Sequence, residues 1–140
     1  MSKSEMAAGF FKGGYNCSTS VLASFCEDYD LDTELAMKLA CGLGGGCVEG
    51  EICGAASAAA IVVGLKYGQY IQGDTGTKTN CYAKTKQVTE AFKNKNGALA
   101  CRDLLGDLRG KDDEESMKER RRLCTGFVES AAEILEELEY

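Results

Sequence analysis

Histidine, proline and tryptophan are absent from this chain. Without histidine there is no imidazole for general acid–base work, for haem ligation or for a mixed Cys/His zinc site. The lack of proline and the scarcity of β-branched runs both favour helix. No two cysteines have CxxC spacing, which removes the thioredoxin-type motif and the usual zinc ribbon. Long apolar runs are missing too. The longest, Ile52–Leu65, is too short to span a bilayer and carries Gly54, Ser57 and Gly64, so membrane insertion is not expected. The opening MSKSEMAAGFFKGG lacks the apolar core of an export signal, and the cytoplasm is the expected location. A formal charge of −6 argues against a nucleic-acid or anionic-membrane partner. The one basic cluster, Lys118–Arg122, follows Asp112, Asp113, Glu114 and Glu115 and reads as a solvated mixed-charge face.

What the chain has in excess is cysteine. Eight occur, at positions 17, 26, 41, 47, 53, 81, 101 and 124. A chain of 140 residues can bury one core, so a single helical domain over residues 1–140 is expected, with no need of a disulfide scaffold. Three roles remain for the thiols: inert packing, metal ligation or redox exchange.

The apolar periodicity predicts an all-α, single-domain bundle of six to seven helices. The first spans Lys3–Lys12. The second follows an Asn16 cap to about Asp28, with Val21, Leu22, Phe25 and Cys26 on its apolar face. The third starts near Asp32, carries Leu35, Ala36, Leu39 and Ala40, and stops at GLGGG. The fourth, from Ile52 or Cys53 to Tyr67, is alanine-rich and apolar all round, which places it at the centre of the bundle. Residues 72–79 read as a loop. A fifth helix covers Lys78–Lys95 with Cys81, Val88 and Phe92 as its stripe. A short sixth holds Leu99, Cys101, Leu104 and Leu105. The last, Glu114–Glu139, carries Cys124, Phe127, Val128, Ala131, Leu135 and Leu138 at helical spacing. Tyr67 and Tyr70 are expected at the core edge.

The stretch CGLGGGCVEG fits neither GxGxxG nor GxxxxGK[ST], and no strand precedes it, so it is not a phosphate loop. Its glycines permit a sharp turn whose amides face an anion such as a thiolate. Cys53 stands at a helix start, where unpaired N–H groups favour the thiolate; a small residue in a tight corner is the competing reading. Cys17 is placed in the same way. Cys41, Cys47 and Cys53 form C-x5-C-x5-C and are candidates to share a metal or exchange disulfides. Cys26 and Cys81 read as buried small hydrophobes, and Cys101 and Cys124, each on an apolar face, carry the same reading when taken singly. Glu49 and Glu51 read as solvated turn residues or as proton donors beside the loop.

Taken together, NCSTSVLASF, GLGGGCVEGEICGAASAAAIVVGLKYG, CRDLLG and CTGFVESAAEILEEL resemble the redox-active proteins named for their C_GCAxxG_C_C cysteine pattern. The likeness runs from about Gly14 to Leu138. It implies that Cys17, Cys53, Cys101 and Cys124 converge on one site in a helical domain, with Cys53-Gly54-Ala55 as the core of the signature. Ala58 stands where the pattern has glycine. The resemblance also implies kinship with the non-haem domain of split-Soret cytochromes, and so an iron–sulfur cluster. No haem is expected, since CxxCH and histidine are both missing.

Three functions therefore stand as expectations. The first is a redox or electron-transfer protein of an anaerobic type of metabolism. In it the four cysteines hold an iron–sulfur cluster, with Gly44, Gly45, Gly46 and Gly54 bringing backbone close to sulfur, and an unidentified protein is the redox partner. The second is a thiol/disulfide switch pairing Cys53 with Cys17 or Cys47. The third is a helical interaction module with inert cysteines. A homodimer is compatible with the close-packed apolar helices.

Overall fold

The computed structural model describes all 140 residues, Met1–Tyr140, and every regular element is helical. Seven α-helices follow one another: α1 (Lys3–Lys12), α2 (Cys17–Phe25), α3 (Thr33–Cys41), α4 (Gly54–Tyr67), α5 (Thr75–Asn96), α6 (Cys101–Leu105) and α7 (Glu114–Glu137). The protein is an all-α bundle, and no helix is long and apolar enough to cross a membrane.

α4 is the centre, as its composition requires. It packs against α2, α5 and α7, and Ala55, Ala56, Ala58, Ala59, Val62 and Val63 are shut from solvent. Alanines let the neighbouring helices approach closely, and the methyl of Ala58 is fully buried among them. The core is completed by Val21, Leu22 and Phe25 of α2, Val88 and Phe92 of α5, and Val128, Ala131, Ile134 and Leu135 of α7.

Side-chain caps set several boundaries. Asn16 Oδ1 accepts from the Thr19 N–H (2.9 Å), while its Nδ2 donates to the Cys41 carbonyl (2.8 Å). One side chain thus caps α2 and holds the C-terminus of α3 beside it. Asn16→Ala is expected to lower stability by about 1–2 kcal/mol, read as a shift of the urea midpoint at unchanged slope.

The structure corrects the sequence reading in four places. α2 ends at Phe25 and passes into a 3-10 turn, Cys26–Tyr29, closed by Asp30 in the left-handed region (φ 55°). α5 begins at Thr75 inside the expected loop, because Asp74 accepts from the Thr77 N–H (3.2 Å) and Thr77 Oγ1. In α3 only Ala36 and Ala40 are buried, and Leu35 and Leu39 stay exposed. The reason is the docking of α3 on the start of α2, where Ser18 Oγ donates to the Ala40 carbonyl (2.7 Å): the alanine side faces inward and the leucines point away. Tyr70 is 92% exposed, whereas Tyr67 stacks edge-on against Tyr140 at the core margin. Glu136, near the exposed end of α7, accepts from the Lys3 and Ser4 amides and so sits favourably at the N-terminus of α1.

Candidate redox site

Between α3 and α4 the chain makes a left-handed turn. Gly45, Gly46, Cys47 and Val48 have φ of 66°, 65°, 55° and 66°. Two of these are not glycine, and a β-branched residue at positive φ carries real backbone strain. The turn is packed from within. A Cβ on Gly44 would lie 2.5 Å from Asn16 Nδ2, and one on Gly54 would lie 2.6 Å from Cys17 Sγ and 3.0 Å from the Leu43 carbonyl. These close approaches bring the start of α4 against the start of α2.

A second device positions the next segment. Ile52 and Ala100 form an isolated antiparallel bridge. The Cys53 N–H donates to the Leu99 carbonyl (2.8 Å), and the Cys101 N–H donates to the Glu51 carbonyl (2.6 Å). Cys53 and Cys101 are thereby held on adjacent backbones. An ion pair between Arg102 and Glu51 (2.7 Å) closes over the bridge, so Glu51 serves the scaffold and does not line the cavity.

The result is one cavity of about 800 Å³ whose lining includes Cys17, Cys53, Cys101 and Cys124. These come from the start of α2, the cap of α4, the start of α6 and the middle of α7. Gly44, Gly45 and Gly54 also line it, while Gly46 is buried behind the turn. Cys41 and Cys47 are exposed and lie outside it, so the C-x5-C-x5-C trio is not brought together there. Cys26 is buried and donates to the Ala23 carbonyl. No three Cys, Asp or Glu side chains are gathered tightly enough to hold a metal ion as they stand.

The thiols differ sharply. The Cys53 thiol, acting as a hydrogen-bond donor, lowers Cys17 from the ordinary 9.0 to about 6. Burial opposes that shift, and the nearby amides of Gly45, Ser18 and Cys17 itself reinforce it. Cys53 is pushed upward by the same bond, by burial and by the charge on Cys17, against the pull of the Ala55 and Ala56 amides. Burial followed by the charge of Cys17 raises Cys101, with Arg109 and Arg120 countering. Burial and the charges of Cys17 and Cys101 push Cys124 up to about 12. The site thus sets one thiol that ionises readily beside three that resist ionisation.

Residues 15–138 match the family model described as "Putative redox-active protein (C_GCAxxG_C_C)". The chain belongs to that family. No curated protein and no solved structure matches it. The C_GCAxxG_C_C pattern names four cysteines, and four cysteines of this chain line the cavity.

Sequence reasoning missed the cations. Arg109, Lys118, Arg120 and Arg121 line the same cavity, so the basic cluster read as a solvated face turns partly toward the thiols. Arg109 donates to the Val48 carbonyl (2.7 Å), holding the strained turn; Arg120 donates to the Leu108 (2.7 Å) and Lys111 (2.6 Å) carbonyls. A signal was available: stepping back from Phe127 by three or four residues along α7 meets Cys124, Arg120 and Met117, one continuous stripe. Arg109, in a loop, had no such periodicity to betray it.

Proposed function

We propose that this C_GCAxxG_C_C protein is an electron-transfer protein in which Cys17, Cys53, Cys101 and Cys124 hold an iron–sulfur cluster. The supporting observation is that four cysteines from four separate segments line one cavity, while the other four do not. The donor set fits: four thiols, peptide N–H groups near Cys17, and a guanidinium beside Cys101. When bound, such a cluster supplies one-electron chemistry at a potential set by net charge, hydrogen bonds to sulfur and solvent access. The chain's own residues act on those variables. Gly45 and Ser18 bring amides near Cys17, Arg109 and Arg120 offset negative charge at Cys101, and Phe11, Leu104 and Phe127 limit water. Ligation requires the cavity-lining thiols to turn further inward. The protein would work in the cytoplasm of an anaerobic type of metabolism with a redox partner protein.

Anaerobic purification with iron and sulfide analysis tests this. A coloured protein is expected, with iron lost on Cys17→Ser, Cys53→Ser, Cys101→Ser or Cys124→Ser and kept on Cys41→Ser. A colourless, metal-free protein under those conditions would overturn it.

The approach of Cys17 Sγ to Gly54, the residue after Cys53, favours a second reading, a two-thiol switch between Cys17 and Cys53. Forming the Sγ–Sγ bond passes two electrons and two protons to an acceptor disulfide, which becomes two thiols. Counting thiols before and after mild reduction separates the readings: a switch yields two fewer before reduction and no dependence on iron.

A further inference from the structure

The cavity offers more room and more positive charge than four thiols need. Its lining carries four cations, Arg109, Lys118, Arg120 and Arg121, against one carboxylate, Glu114, in a protein whose net charge is −6. The cations divide into two sets. Arg109 and Arg120 act on the Cys101 thiol and bond to backbone carbonyls, so they belong to the cysteine site. Lys118 and Arg121 make neither an ion pair nor a side-chain hydrogen bond, although the neighbouring Arg122 pairs with Glu119. Two exposed cations one turn apart on α7 therefore line the cavity with no carboxylate of the chain bonded to either.

Beside them the wall is apolar. Phe11, Val48, Leu104, Met117 and Phe127 line the cavity, and Val48 and Met117 are 74% and 47% exposed. Exposed apolar surface rimmed by unpaired cations is complementary to an amphipathic anion. The apolar part recovers burial energy, and the head group takes charge-assisted hydrogen bonds, which a guanidinium gives in bidentate form. A positive cleft on an acidic protein also concentrates anions locally.

We propose that this cavity is a binding site for a small organic anion with an apolar body and a terminal carboxylate or phosphate, its head group held by Lys118 and Arg121 and its body lying against Phe11, Met117 and Phe127. The proposal goes beyond the redox reading and stands whether or not the cysteines hold iron.

The test uses the full chain as isolated anaerobically, with iron measured on the same sample so that the redox reading is scored separately. The probe is 1-anilinonaphthalene-8-sulfonate, an amphipathic anion, and N-phenyl-1-naphthylamine is its uncharged counterpart. Saturable one-to-one binding of the anionic probe is expected. Lys118→Gln with Arg121→Gln should weaken it about tenfold or more, since two charge-assisted contacts are removed, and leave the uncharged probe unaffected. Arg122→Gln, on the same helix but outside the cavity, should change neither. Displacement by octyl phosphate or by octanoate, more strongly than by octanol, identifies the head group. Equal displacement by octanol would overturn the proposal, as would equal weakening by Arg122→Gln or undiminished binding in the double variant. All three substituted residues are exposed, and unchanged helical circular dichroism shows that the variants fold.

Discussion

Gly46→Ala is expected to destabilise the protein by about 4 kcal/mol, the sum of a left-handed backbone penalty and an overpacked contact. Gly46 has φ of +65°, where an L side chain is strained. Its Cβ would also collide with the backbone N and carbonyl oxygen of Glu51 and lie 2.7 Å from the Glu51 carbonyl carbon. Those atoms are not free to retreat. Gly46 accepts from the Glu51 N–H (3.1 Å), and the Glu51 carbonyl accepts from Cys101 across the bridge. Moving them therefore displaces Cys53 and Cys101 together, so the loss reaches the cavity as well as the fold. A fall in the urea midpoint measures the first, and altered reactivity of Cys101 the second. Gly126→Ala is the control. Nothing lies within 4 Å of its Cβ position in the interior of α7, so helix propensity alone should raise stability by about 0.5–1 kcal/mol. Equal effects at the two glycines would refute the packing account.

The stability of the reduced, metal-free protein should rise between pH 6 and about pH 9 and fall above it. A hydrogen bond from Cys53 lowers Cys17 to about 6 in the folded chain, against the ordinary 9.0 when unfolded. Between those values the unfolded state binds the extra proton, so stability climbs with pH by up to about 1.4 kcal/mol per unit. The contribution disappears as pH falls through 6. Above pH 9 the sign reverses, because Cys53, Cys101 and Cys124 stay protonated in the folded state while their unfolded counterparts ionise. Cys17→Ser removes the rising limb and leaves the falling one. Melting temperature across that range reads both. Alkylation gives a second check: in the reduced protein Cys17 should react with iodoacetamide with a midpoint near pH 6, mapped by mass spectrometry. A common midpoint near pH 9 for all the thiols would show that Cys53 does not donate to Cys17.

Both expectations depend on tertiary contacts at residues the sequence marks only by type. The glycine run announces a sharp turn, yet glycine says nothing of handedness, and the strain extends into Cys47 and Val48, which no glycine rule would flag. The start of α5 was hidden for the opposite reason. Gly73 and Gly76 suggest a loop, but one carboxylate cap at Asp74 is enough to begin the helix between them. In α3, Leu35, Ala36, Leu39 and Ala40 form a plausible apolar face; which of them is buried depends on the partner helix, and hydrogen bonds from Ser18 and Asn16 choose the alanines.

The local sequence by itself determined that this chain is helical, where most of its helices begin and end, and that α4 lies at the centre. Those properties follow from i to i+4 hydrogen bonds, caps and apolar periodicity, all short-range. Resemblance singled out Cys17, Cys53, Cys101 and Cys124 from eight cysteines of similar local setting. Only the tertiary structure decided that they line one cavity, that Cys41 and Cys47 stay outside it, and that Arg109, Arg120, Lys118 and Arg121 join them. Convergence rests on the approach of Gly54 to Cys17 and on the bridge between Ile52 and Ala100. These contacts join residues far apart in the chain, and no local pattern encodes them.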